Sequence, residues 1–106
     1  MRLLENKKKE RKITMIKTIY SIFDKKNISY SQFYVTDNEV NLKRVLSWLC
    51  SSGNEANFLF TNTEDFTLVK IGEIDDTTGV ITAKAPEIVC ELLQLKKGNE
   101  NGKEES

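Results

Sequence analysis

The 106-residue chain has no histidine, one proline, two cysteines and no net charge. Each shortage removes a class of function. Without histidine there is no His-based catalytic triad, no imidazole metal ligand and no histidine pH switch. Cys50 and Cys90 cannot make a zinc site alone and do not form a disulfide framework. They read as small buried apolar residues of a protein kept in a reducing cytoplasm. No apolar run approaches the roughly 20 residues that cross a bilayer as a helix, so no membrane partner is expected. Met1–Glu5 turns charged before any apolar stretch develops, which is unlike a secretory signal. The balance of 16 Lys+Arg against 16 Asp+Glu speaks, at first sight, against a basic nucleic-acid binder.

What is present is segregated charge. Residues 1–14 carry six cations and two carboxylates, a net +4. Residues 15–53 are +2, residues 54–95 are −6, and residues 96–106 are neutral. The chain therefore divides into a basic leader (1–14), a single domain (15–95) with net −4, and a polar tail (96–106) expected to be disordered. The domain is near the size at which one hydrophobic core becomes marginal.

Within the domain, Thr14–Phe23 and Tyr30–Thr36 read as strands around an Asp24-Lys25-Lys26-Asn27 turn. Asp37 or Asn38 can cap a helix over about residues 38–51, with Leu42, Val45, Leu46 and Leu49 marking its buried face. Asn57–Thr61 fits a short strand or an ordered loop. Phe66–Ile74 is a strand in which Gly72 permits a bulge or a close backbone approach. In Asp75-Asp76-Thr77-Thr78-Gly79 the acidic and threonine side chains close a turn, and Gly79 supplies a positive φ. Val80–Ala83 returns as a strand. Pro86 suits a first helical position, with Ile88, Val89, Leu92, Leu93 and Leu95 following at helical spacing. The expectation is an α+β fold: a small antiparallel sheet, one helix packed on a face, and a C-terminal helix.

Little of this carries reaction chemistry, and neither an enzyme nor a cofactor is expected. Glu73, Asp75 and Asp76 could be read as a metal cluster, but the hairpin turn already accounts for the Asp pair, and the further ligands of a calcium loop are missing. The thiols lack a partner base. The remaining constellation is aromatic and basic. Tyr20, Phe23, Tyr30, Phe33, Tyr34 and Trp48, six of the nine aromatics, share a segment with Lys17, Lys25, Lys26, Lys43 and Arg44. Such residues either fill a small core or, exposed on a sheet face, stack on bases while the cations follow phosphates. Composition alone favours core filling. Tyr30, Phe33 and Tyr34 span both strand faces, so at least one must point away from the core.

Two segments carry a family resemblance. Met15 to Lys26, with Tyr20-Ser21-Ile22-Phe23-Asp24-Lys25 at its centre, resembles the opening strand and turn of the small nonstructural protein of gokushovirus-type microviruses, tailless single-stranded DNA phages. Thr63 to Gly79, with Glu64-Asp65-Phe66 and Gly72 before Asp75-Asp76-Thr77-Thr78-Gly79, resembles its second signature. The resemblance spans about residues 15–95. It implies single-stranded DNA binding that assists genome synthesis or packaging in the bacterial cytoplasm, without catalysis. A viral replication or capsid protein is a further possible partner, and a homodimer is compatible with a first strand that is apolar on both faces. The residues assigned to DNA are Lys17, Tyr20, Lys25, Lys26, Tyr30, Tyr34, Lys43 and Arg44. The competing reading is an adaptor that binds a viral or host protein through its acidic half. Asn62-Thr63 stands where the family usually has His-Pro, and Ser51-Ser52-Gly53-Asn54-Glu55 replaces an expected proline turn. Members usually start near Met15. Codons for Lys9-Glu10 or Glu10-Arg11 can spell a ribosome-binding sequence, so translation is expected to begin at Met15; the alternative is a basic arm that folds onto DNA.

Overall fold

The computed structural model describes residues 16–96. Strands β1 (Ile16–Asp24), β2 (Ser29–Thr36), β3 (Phe66–Asp75) and β4 (Ile81–Glu91) form one antiparallel sheet in the order β2-β1-β3-β4. Between β2 and β3 run helix α1 (Glu39–Cys50) and the single helical turn α2 (Phe58–Thr61). The fold is α+β, as the element order implied. The basic leader, the Met15 start and the polar tail after Lys96 lie outside the described residues.

Local chemistry accounts for the connections. The Asp24 carboxylate accepts from the backbone N–H groups of Lys26 and Asn27, closing the β1–β2 turn. Asn38, not Asp37, caps α1, its side-chain oxygen accepting from the Asn41 N–H at 2.9 Å. The Asp75 carboxylate accepts from Thr77 and Thr78, while Gly79 takes φ +79° to complete the β3–β4 hairpin. Of the Asp pair, Asp75 closes the turn while Asp76 pairs with Lys17 at 3.5 Å, and among the described residues no three His, Cys, Asp or Glu side chains are grouped so as to hold a metal ion. Gly72 is needed for close approach, since a Cβ there would lie 2.7 Å from the Thr82 carbonyl oxygen on β4.

Strand alternation sorts the sheet into two faces. On one, Tyr20 and Ile22 of β1 and Phe66 and Leu68 of β3 meet Leu42, Leu46 and Cys50 of α1, with Leu59 and Leu92 sealing the ends. Ile22, Leu46 and Leu68 are fully buried. Each stabilises the fold by roughly 1.5–3 kcal/mol through burial. The opposite face, formed by Ile19, Ser21 and Phe23 of β1 and their neighbours, carries no helix among the described residues.

Three local expectations are corrected. Residues 86–95 do not form a helix: β4 continues to Glu91, and only Leu92–Leu95 coil, as a 3-10 turn. The apolar spacing there resembled a helix because β4 is irregular. Residues 84–86 oppose the single residue Ile71, and Val89 is an extra residue between the Val69–Ile88 and Leu68–Cys90 pairs. These shifts break simple alternation. Pro86, which has no N–H to give, is tolerated because β4 is an edge strand. Asn57–Thr61 is neither strand nor loop but the α2 turn, capped by the Asn57 side chain on the Leu59 N–H. Val45 faces outward at 45% exposure; the buried stripe of α1 is Leu42, Leu46 and Cys50.

Candidate nucleic-acid interface

The residues assigned to DNA fall into three separate places. Tyr20 and Tyr34 belong to the helix-covered face. Tyr20 is 3% exposed, and its hydroxyl donates to the Glu39 carboxylate at 3.0 Å. Burial, reinforced by that carboxylate, pushes its pKa up to about 12. A ring so enclosed has no face to offer a base. Tyr34 packs against the core, its hydroxyl donating to Gln32, and burial raises its pKa as well.

Lys17, Lys25, Lys26 and Tyr30 lie on or beside the open sheet face. Lys17 is paired with Asp76, and Lys25 with Glu91 at 2.8 Å. Against the opposing effect of burial, Lys25 and then the Thr67 hydroxyl hold the Glu91 carboxyl below its ordinary value. Lys26 is exposed in the β1–β2 turn. The Tyr30 ring packs at a tilt against Phe23, with centroids 4.9 Å apart.

Lys43 and Arg44 are on α1, at the opposite side of the molecule from the open face. The Lys43 ammonium reaches Glu39 at 3.4 Å, and Lys70 approaches the same carboxylate at 3.7 Å. Burial would raise the Glu39 pKa, but the Tyr20 hydroxyl, Lys43 and Lys70 together hold it low. Two lysines therefore share one carboxylate. Arg44 has no ion pair among the described residues. One turn on, Trp48 is 66% exposed. Asn41, Arg44, Val45 and Trp48 follow helical spacing along a single stripe and line a shallow groove of about 480 Å³.

Trp48 was visible in the sequence as one of the clustered aromatics but was not assigned to the interface. Its spacing from Asn41, Arg44 and Val45 was the available signal. The separate exposure of Phe33, at 61%, matches the expectation that one aromatic of β2 would face away from the core. Of the carboxylates in the acidic second half, Glu73, Asp76 and Glu91 each have a lysine partner. Neither thiol is bridged; burial raises both, and Cys50 is pushed up to about 11. No helix among the described residues is long and apolar enough to cross a membrane.

The molecule so described is a small α+β protein with one covered sheet face, one bare sheet face and an aromatic–cationic stripe on its helix. The chain belongs to the Phage ORF5 protein family, whose model matches residues 17–95. It is therefore a phage protein. Comparisons with curated proteins and with solved structures gave no match.

Proposed function

We propose that this phage protein is a non-enzymatic, single-stranded DNA-binding protein of the microvirus type, acting in genome synthesis or packaging in the host cytoplasm. The observation that carries the reading is the exposed Trp48 with Arg44, which has no ion pair among the described residues, one turn before it. An indole on a helix surface offers a stacking platform of the kind sequence-tolerant single-strand binders use, and base stacking contributes roughly 1–3 kcal/mol per base. Arg44, with Lys43 and Lys70 in excess over Glu39, supplies a local positive field although the domain is acidic overall. A modest number of phosphate contacts, and so a shallow salt dependence, follows from that count.

Trp48 is the one tryptophan of the chain, so its fluorescence reports directly on the stripe. Titration with oligo(dT) at low salt is expected to quench it, and added salt to reverse the quenching. Chains starting at Met1 and at Met15 should both respond if the stripe carries the binding. Absence of binding by the Met15 form at low salt sinks the reading and leaves the adaptor alternative.

A further inference from the structure

We infer that the bare face of the sheet is a homodimer interface, on which a second copy of this chain packs its own bare face. The inference is independent of the DNA reading, which concerns the other side of the molecule. Tyr30, Phe33 and Val35 of β2, and Ile81 and Ile88 of β4, are between 41% and 68% exposed. These five side chains leave on the order of 500 Å² of apolar surface in water, at the upper end of what monomeric proteins leave uncovered. Partly exposed Ile19, Phe23 and Ile74 add to it. Two such faces, with their polar margins, reach the roughly 1,200–2,000 Å² of a standard specific interface.

The relief of the face also suits a second copy. Phe33 pairs with Ser21, Ser21 with Val69, and Val69 with Ile88, so this row crosses all four strands. Ser21 and Val69, in the middle, are 0% and 3% exposed, whereas Phe33 and Ile88, at the edges, stand 61% and 68% exposed. The face is a trough between two apolar ridges. A two-fold partner offset across the strands can set its β2 ridge into this trough and receive the same ridge in return, the self-complementarity that an isologous contact requires.

Charge points the same way. Of the cations beside the face, Lys17 and Lys25 are already paired with Asp76 and Glu91, which leaves Lys26 in the β1–β2 turn as the one without an ion pair among the described residues. The margin therefore offers few phosphate contacts and sets little like charge against itself in a dimer. Sheets stacked at about 10 Å would leave both α1 helices outside, giving a helix–sheet–sheet–helix sandwich.

Sedimentation velocity on the full chain at micromolar to hundred-micromolar concentration tests this. A species of twice the 12.2 kDa chain mass is expected. Phe33→Lys and Ile88→Lys should each raise the dimer dissociation constant at least tenfold, while circular dichroism stays unchanged. Both lie on edge strands and Ile88 is the more exposed of the two, so I88K keeps the test valid even if F33K disturbs folding. Trp48→Ala should leave the dimer intact. A monomer at hundred-micromolar concentration overturns the inference, as does a dimer that ignores I88K or is lost in W48A. Loss of oligo(dT) binding in I88K with a monomeric parent overturns it too, and assigns the face to nucleic acid.

Discussion

The two faces of the sheet are built from the same strands and share a similar apolar content, yet only one is a core. On the helix side, Tyr20, Ile22 and Leu68 find α1 and are left almost wholly out of water. On the other side, Phe33, Val35 and Ile88 are as apolar and stand exposed among the described residues. Apolar patterning thus says that a surface is meant to be buried, without saying whether this chain supplies the cover. Among the described residues, the helical segments between β2 and β3 cover one face of the sheet only.

The largest expected effect lies in the difference between those faces. Leu46→Ala, at 0% exposure, should cost about 3 kcal/mol in urea unfolding, from lost burial and the cavity left behind. Val35→Ala on the bare face should cost less than about 0.5 kcal/mol at dilute, monomeric concentration. If the two substitutions cost the same in dilute protein, the faces are not different in kind.

Next in size is Gly72→Ala, where the added Cβ meets a backbone oxygen on β4 and not a flexible side chain. A loss of about 1–3 kcal/mol is expected in thermal unfolding, because the strands must shift to admit it. A smaller loss would mean that the β3–β4 edge of the bare face is pliable.

On the helix stripe, Trp48→Ala should weaken oligo(dT) binding about tenfold or more. Arg44→Ala should lower the slope of log affinity against log salt by about 0.7, one phosphate's share for a single strand. Fluorescence anisotropy of a labelled oligonucleotide measures both. Equal losses in Phe33→Lys would move the interface to the sheet.

The acid response is subtler. Glu39 and Glu91 are both held below their ordinary pKa values, so each contributes stability that is present above its unfolded-state pKa. That contribution is lost as pH falls through the depressed folded values, below the usual carboxylate range. Glu39→Gln should flatten the acid limb of a Tm-against-pH curve more than Glu64→Gln, an exposed carboxylate for which no ion pair is found among the described residues.

The smallest effect is a gain. Ile28 sits at φ +54°, a left-handed conformation that is costly for a β-branched residue. Ile28→Asn should add about 0.5–1 kcal/mol in chemical denaturation, because asparagine tolerates this region better.

Much of the fold was legible because it depends on local chemistry. The Asn38 cap, the Asp75–Gly79 turn and the tight approach at Gly72 each follow from a residue type and its immediate neighbours. The C-terminal segment was misleading because the shifts around residues 84–86 and Val89 disturb the two-residue period of a strand. Only pairing with β3 distinguishes that pattern from a helix. Of the site, the cations and aromatics were all visible, but not their grouping. Tyr20 looked available for stacking until α1 placed Glu39 on its hydroxyl.

By itself, the sequence determined what this protein has to work with: no imidazole, two isolated thiols, turns placed by Asp, Asn and Gly, and apolar residues on both sides of its strands. Tertiary structure alone decided which of those residues remain in water. Strand order and register put Lys17 beside Asp76 and Lys25 beside Glu91, partners far apart in the chain. The packing of α1 enclosed Tyr20 and turned Trp48 and Arg44 outward. The physical reason is that composition and spacing act over a few residues, whereas exposure depends on which distant segments come to lie against each other.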